Sequence, residues 1–179
     1  IKNLSMPKGG AITINANNSK NIKKKLNSLR WCGIDKRLGA LYDVTSLGYN
    51  YYMEEISASI GIEQLKKLQN SNKKRYDIAK RYSIELNVNK KMPLDKNCSY
   101  HLFWIRVDNR EKFMEKMRKS GIETGAHYPP VHLMSFYNKK NSLPKTEQVG
   151  RDVVTLPMHP NLTNKEIDLV IKKTNSFVK

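Results

Sequence analysis

Residues 2–15, which read KNLSMPKGGAITIN, set the expected fold class because a lysine-bearing loop leads through a glycine pair into a short β-branched run. The glycines allow a tight loop, and residues 11–15 predict a buried strand. The polar residues 17–19 are candidate N-caps of a helix. Three apolar residues then follow at helical spacing: Ile22, Leu26 and Leu29. A strand that leads directly into a helix is typical of an α/β protein.

The middle of the chain predicts a long loop and then a long helix. Residues 31–53 contain glycines and three close tyrosines, and we expect an irregular loop that serves function or contacts a partner. Residues 54–86 carry an apolar stripe at helical spacing, with a bend or break expected at Gly61 or at the polar residues 69–72. Residues 87–98 are polar and predict a linker.

The remainder of the chain predicts a small α/β unit with its own core, because alternating and helical periodicities follow each other closely. The expected elements are, in order, a strand at 99–107, a helix capped by Asp108 or Asn109 and stopped by Gly121, a strand at 122–128, an irregular loop at 131–145, and a terminal helix opened by a capping box of Thr163 and Glu166.

The basic composition limits the classes of function. The 179 residues include 33 Lys or Arg and 16 Asp or Glu, for a net charge of +17. Lysine outnumbers arginine 25 to 8 and there are 18 asparagines, a combination that a biased nucleotide composition produces. The lysines are spread along the chain, which favours a solvated basic surface over a nucleic-acid-binding or polyanion-binding module. That module stays open as the alternative, and phosphate-bearing ligands fit either interpretation.

Composition also bears on the cellular setting. Hydrophobic residues make up 39% of the chain, which supports a packed core, and no apolar run approaches the roughly 18 residues of a membrane span. Cys32 and Cys98 stand far apart, which favours a reducing compartment, and we expect a cytoplasmic protein. The first residues show no secretory leader and do not begin with Met, so we expect a fragment.

Residue chemistry by itself gives only weak site signals, and among the 25 lysines Lys2 is favoured by its context alone. The sequence has none of the common phosphate-loop, serine-hydrolase or zinc-protease motifs, and its four histidines are too scattered to predict a metal site. Lys2 precedes the glycine pair in a loop where backbone can approach a ligand closely. A lysine in that setting favours Schiff-base chemistry, in which a primary amine attacks a carbonyl and later leaves.

Four blocks of sequence carry a family resemblance. They read KNLSMPKGGAIT at 2–13, LGYNYYM with ISASIG and QL at 47–65, GIETGAHYPPVH at 121–132, and LPMHPNLT at 156–163. The last three are similar to LGYNYRM…IQAAIG…QL, GIGTGVHYPPLH and LPLHPGLT in the DegT/DnrJ/EryC1/StrS sugar aminotransferases, and the first resembles the lysine loop of that family. The order of the blocks is the same, so the chain is identified as a member of this family, whose enzymes depend on pyridoxal 5′-phosphate.

The resemblance implies an α/β architecture of the aspartate-aminotransferase-like fold type I. It implies that this chain is the C-terminal half of such a protein. Residues 1–86 would be the end of the large cofactor-binding domain, with a dimer loop and a connecting helix, and 87–179 the small C-terminal α/β domain. The aspartate that pairs with the pyridine nitrogen would lie in the other half, so we expect the fragment alone to be inactive.

The resemblance also implies roles for individual residues. Lys2 corresponds to the Schiff-base lysine, and Asn50 to an asparagine that reaches the cofactor phosphate in the neighbouring subunit, which implies a homodimer with shared active sites. His127 corresponds to a residue on the sugar-nucleotide side. The implied reaction transfers an amino group from an amino acid, typically glutamate, to a keto group of a nucleotide-linked deoxysugar. The aminosugar product would serve surface polysaccharide or lipopolysaccharide synthesis.

Two departures from the family pattern bear on the substrate. Pro7 and Lys8 stand where the family usually has a glycine and an acidic residue, so the turn and the local charge of the loop differ. Tyr52 stands where arginine is common, and a neutral hydroxyl binds an anion more weakly than a guanidinium does. These departures leave open a third reading, a degenerate relative with a structural or regulatory role.

Overall fold

The computed structural model describes residues 2–137 and 142–178, so part of the predicted loop at 131–145 lies outside the described residues. The chain forms two compact units. The hairpin unit comprises residues 4–66, and the sandwich unit comprises Lys2 and Asn3 together with residues 67–178. The boundary between the units falls inside the long helix. These compact units do not test the predicted domain bounds, so the domains 1–86 and 87–179 stay a prediction.

The hairpin unit contains a helix, a β-hairpin and the start of the long helix. Helix α1 spans Ser19–Arg30, strands β1 and β2 span Ile34–Leu38 and Leu41–Val44, and helix α2 spans Glu55–Glu85. The strands pair antiparallel, with Leu38 opposite Leu41. The prediction of an irregular 31–53 was therefore wrong in part. Gly39 has a φ of +59°, a left-handed conformation that glycine adopts without strain and that a tight hairpin turn requires.

The predicted buried strand at 11–15 was also wrong. These residues form no strand, and Ile12 is 72% exposed. A strand is stable only when its N–H and C=O groups pair with a neighbouring strand. Among residues 2–137 and 142–178, no strand pairs with this segment. The apolar run at 11–15 therefore has the composition of a strand but has no partner strand among the described residues.

The sandwich unit packs helices against a two-stranded antiparallel sheet. Its elements after α2 are β3 (Phe103–Arg106), α3 (Arg110–Lys119), two single turns of 3-10 helix (Val131–Leu133 and Ser135–Tyr137), α4 (Pro144–Asp152), β4 (Val153–Leu156) and α5 (Asn164–Phe177). Phe103 pairs with Leu156 and Arg106 with Val153. The strand expected at 122–128 is reduced to a single bridge between Gly125 and Thr155, which corrects that prediction.

The core of the sandwich unit lies between the sheet and helices α2, α3 and α5. Tyr82 and Phe103 are fully buried, and their rings meet edge to face with centroids 5.3 Å apart. The Tyr82 hydroxyl donates to the Pro157 carbonyl at 2.9 Å, which satisfies its polar end inside the core. The strands therefore hold the segment after β4 in a defined place beside α2.

Helix α2 is continuous, so the prediction of a bend or break near Gly61 or 69–72 was wrong.

The N-terminal ends of α3 and α5 follow local sequence signals. The Asn109 side chain caps α3 by accepting from Lys112 N. The predicted capping box of Thr163 and Glu166 opens α5, each side chain bonding the other's backbone N–H. None of the helices in the described part of the chain combines the length and apolar character that a bilayer crossing needs.

Candidate active site

Lys2 is exposed, and its neighbour Asn3 connects it to the sandwich unit. The Asn3 Nδ2 group donates to Asn72 Oδ1 at 2.9 Å and to the Ser99 carbonyl at 2.7 Å. Asn72 lies on α2, and Ser99 lies four residues before β3. The backbone beside Lys2 is therefore tied to a helix and to the approach to the sheet.

His101 lies within electrostatic reach of Lys2 and has an unusual environment. Both of its ring nitrogens are buried and have no hydrogen-bond partner among the described residues. Burial lowers the pKa of His101, and the positive charges of Lys2 and Arg75 lower it further. Both effects favour the neutral form of the imidazole.

Arg75 adds a buried positive charge to this cluster. Its side chain projects from α2 and is only 8% exposed, and Nη1 donates to the Met158 carbonyl at 2.8 Å. Its Nε is buried without a partner, and within the described ranges no carboxylate lies at ion-pair distance. Burial lowers the pKa of Arg75. An uncompensated buried guanidinium favours an anionic neighbour.

His127 is held in place by β4. Its Nδ1 lies 2.7 Å from Thr155 Oγ1, and the residue two positions earlier, Gly125, exchanges backbone hydrogen bonds with Thr155. A Cβ at Gly125 would lie 2.9 Å from both His127 Nδ1 and Thr155 Oγ1. Glycine at this position therefore makes room for the imidazole, and Nε2 is the nitrogen left to meet a ligand.

The other two predicted site residues, Asn50 and Tyr52, belong to the hairpin unit. Asn50 forms an isolated β-bridge with Trp31, whose ring meets that of Tyr52 edge to face at 6.3 Å. The guanidinium of Arg30 lies 5.2 Å from the centre of the Tyr52 ring. The structure therefore groups Lys2 with His127 in one unit and Asn50 with Tyr52 in the other.

The segment that leads to Asn50 explains a glycine of the LGYNYYM block. A Cβ on Gly48 would clash with the backbone nitrogen of Gly33. The two backbone segments can therefore approach this closely only because position 48 is a glycine. Tyr49 N donates to Leu29 O at 2.7 Å, and Cys32 N donates to Tyr49 O at 3.0 Å. The backbone just before Asn50 is therefore fixed against the end of α1.

The model of the DegT/DnrJ/EryC1/StrS aminotransferase family matches residues 1–175. The chain belongs to this family. As a result, the resemblance and the α/β, fold-type-I class expected from the sequence are confirmed. Three of the four blocks contain the residues described above: Lys2 in the first, Asn50 and Tyr52 in the second, and His127 in the third.

Individual relatives match this chain over about half of their own length. The uncharacterized protein MJ1066 of Methanocaldococcus jannaschii is 32% identical over 99% of this chain and 51% of its own. The putative sugar aminotransferase Spr1654 of Streptococcus pneumoniae, in its apo form, is 27% identical, with a TM-score of 0.89 over 99% of this chain and 49% of its own. The aminotransferase TlmJ of Streptoalloteichus hindustanus is also 27% identical, with a TM-score of 0.78 over 87% of this chain and 44% of its own. The chain therefore spans about half the length of the relatives it matches.

Sequence reasoning missed three polar residues that the structure associates with the candidate site: Asn3, Arg75 and His101. Arg75 carried a signal, because it stands at helical spacing to Ile78 and Tyr82 on the buried face of α2, where a charge is unexpected. Asn3 stands in the lysine block, but its contacts, like the burial of the His101 nitrogens, depend on segments distant in sequence. Among the described residues, no group of three or more His, Cys, Asp or Glu could hold a metal ion.

The lowered pKa of His101 predicts how stability depends on pH. Because the pKa is lower in the folded state than in the unfolded state, the unfolded chain binds more protons below about pH 6.5. The free energy of unfolding should therefore fall as pH falls from 6.5, by at most about 1.4 kcal/mol per pH unit for one proton. We expect His101→Gln to reduce this slope in denaturation experiments between pH 5 and 8.

The matched control for this measurement is His159→Gln, which removes an exposed histidine. It should keep the slope of the unmodified chain. Equal slopes for the chain and for His101→Gln would show that the buried imidazole does not control the pH dependence.

Proposed function

We propose that this chain is part of a pyridoxal-phosphate-dependent sugar aminotransferase. The enzyme would move an amino group from an amino acid, which we expect to be glutamate, to a keto group of a nucleotide-linked deoxysugar. The observation that carries the proposal is the placement of Lys2, which lies in a family lysine loop and within electrostatic reach of His101. The family match over residues 1–175 also leaves the nucleic-acid-binding alternative without support of its own.

The residues around Lys2 fit a phosphate-bearing aldehyde cofactor. Arg75 has no carboxylate at ion-pair distance among the described residues, and the pKa of His101 is lowered by burial first and then by the positive charges of Lys2 and Arg75. Positive potential of this kind attracts an anionic ligand. When bound, the cofactor supplies a carbonyl carbon for the lysine amine and an electron sink for charge at the α-carbon of the amino acid. The relative Spr1654 has structures in both PLP and PMP forms.

In this proposal each side chain has a limited task. Lys2 Nζ would hold the cofactor covalently and, once displaced, move a proton at the reacting carbon. His127, oriented by Thr155, would offer Nε2 to a hydroxyl or a diphosphate oxygen of the sugar nucleotide. Tyr52 would offer a neutral hydroxyl on the substrate side.

We also propose a twofold homodimer in which Asn50 reaches the cofactor phosphate of the partner's site. The support is the exposed apolar surface of the hairpin unit. Leu38, Leu41 and Tyr42 are 80%, 77% and 63% exposed, and an apolar patch of this kind marks an interaction surface. We place the enzyme in the cytoplasm, where Cys32 and Cys98, which form no disulfide with each other, would stay reduced. Its product would be an aminosugar for polysaccharide or lipopolysaccharide.

Reductive trapping tests the proposal. The polypeptide that carries this chain is incubated with pyridoxal phosphate, reduced with borohydride, digested and mapped by mass spectrometry. We expect the reduced adduct on Lys2, and release of 2-oxoglutarate from glutamate when a nucleotide-linked keto sugar is supplied. An adduct confined to another lysine would refute the assignment. An adduct on Lys2 without any amino transfer would instead favour the degenerate relative.

A further inference from the structure

The Asn3 amide has a defined orientation. Its nitrogen faces the Ser99 carbonyl, which can only accept a hydrogen bond, so the nitrogen and oxygen of the amide cannot be exchanged. The second N–H of the same group is then directed to Asn72 Oδ1. Both donors of Asn3 are used, while its Oδ1 is buried without a partner among the described residues.

These two bonds connect segments that are distant in sequence, and they are made by the residue directly after Lys2. They join Asn3 to residues 69 and 96 positions away, while the chain that follows, from Leu4 to Lys66, belongs to the hairpin unit. Asn3 is adjacent to Lys2, so tethering its side chain restricts the backbone from which the lysine projects. An amine on a restricted backbone meets its target with less loss of conformational freedom.

We propose that Asn3 is a positioning residue for the Lys2 amine. Its amide ties the backbone beside the lysine to α2 and to the segment before β3, and so keeps Lys2 within electrostatic reach of His101. This inference rests on the proposed function, because it assigns Asn3 a role in holding the lysine-bound cofactor. Nothing in the family resemblance assigns such a role to the residue after the lysine.

The test compares Asn3→Ala with Asn175→Ala, a control that removes the same kind of interaction elsewhere in the sandwich unit. Asn175 Nδ2 donates to Glu85 O at 2.8 Å, and Asn175 Oδ1 accepts from Asn87 N at 2.8 Å. Glu85 lies 13 residues beyond Asn72 on α2, which is about 20 Å along the helix. Both variants lose two amide hydrogen bonds, but only Asn3→Ala loses them beside Lys2.

We expect Asn3→Ala to raise the dissociation constant for pyridoxal phosphate about tenfold, equivalent to about 1.4 kcal/mol. The induced circular dichroism of the cofactor band should fall, because a loosened lysine no longer holds the ring in one orientation. Without cofactor, backbone amides of residues 2–4 should exchange hydrogen faster. Asn175→Ala should lower the free energy of unfolding and leave all three readouts unchanged.

A double variant separates the role of Asn3 from that of its helix partner. Asn72→Ala removes one of the two bonds and should give a smaller rise in the dissociation constant. Asn3→Ala/Asn72→Ala should match Asn3→Ala alone, since the shared bond can be lost only once. Additive effects would mean that the two residues act independently, which contradicts the proposed tether.

The possible failures are distinguishable. If the unmodified protein forms its borohydride adduct on Lys2 but Asn3→Ala behaves like Asn175→Ala, only the positioning role is refuted. If no adduct forms on Lys2, both the proposed function and the positioning role are refuted.

Discussion

Lys2→Ala is expected to abolish the borohydride-trapped adduct and to lower the rate of amino transfer on the order of 10⁴-fold. The substitution removes the primary amine that would bind the cofactor covalently and that would move the proton at the reacting carbon. Absorbance of the cofactor band and steady-state release of 2-oxoglutarate measure the two effects. They should be lost together, because one nitrogen atom serves both tasks.

Two controls separate the amine from its charge and from its neighbours. Lys2→Arg keeps a positive charge, but a guanidinium stays protonated in proteins and cannot act as the nucleophile, so it should be as inactive as Lys2→Ala. Lys8→Ala removes an exposed lysine from the same loop and should retain the adduct. A normal amount of adduct in Lys2→Ala would contradict the assignment.

Phe103→Ala is expected to destabilise the sandwich unit by about 3–5 kcal/mol. Phe103 has no exposed surface, starts β3 and packs edge to face on Tyr82, so its removal leaves a cavity at the centre of the core. Chemical denaturation followed by tryptophan fluorescence measures the change, since Trp104 is the next residue of the strand.

Phe136→Ala is the matched control for this core substitution. Phe136 is 91% exposed, so the same truncation should change the free energy of unfolding by less than about 0.5 kcal/mol. Similar losses for both variants would mean that the buried position of Phe103 does not determine its contribution.

The helix boundaries show how far local signals extend. The capping box of Thr163 and Glu166 could be predicted because every partner lies within one helical turn. The end of α3 is also local, since Gly121 has a φ of +77°, which suits glycine. The hairpin in 31–53 and the absent strand at 11–15 were not predictable in this way, because strand formation depends on a partner strand.

The candidate site divides along the same line. Lys2, Asn50, Tyr52 and His127 were predicted because they stand inside contiguous blocks of sequence that the family match supports. Their roles stay predictions, to be decided by the trapping and substitution experiments. Asn3 and His101 entered the site only through contacts with residues far away in the chain.

The amino-acid order alone was sufficient for the family, for the choice of Lys2 as the candidate lysine, and for the capping box of α5, because each depends on a contiguous stretch of residues. Folding in three dimensions was needed to bury Arg75 with no carboxylate partner in the described ranges, to bury the His101 nitrogens with no hydrogen-bond partner there, and to join Asn3 to α2. The reason is that desolvation and long-range hydrogen bonding depend on which distant segments pack together, and no local pattern encodes that packing.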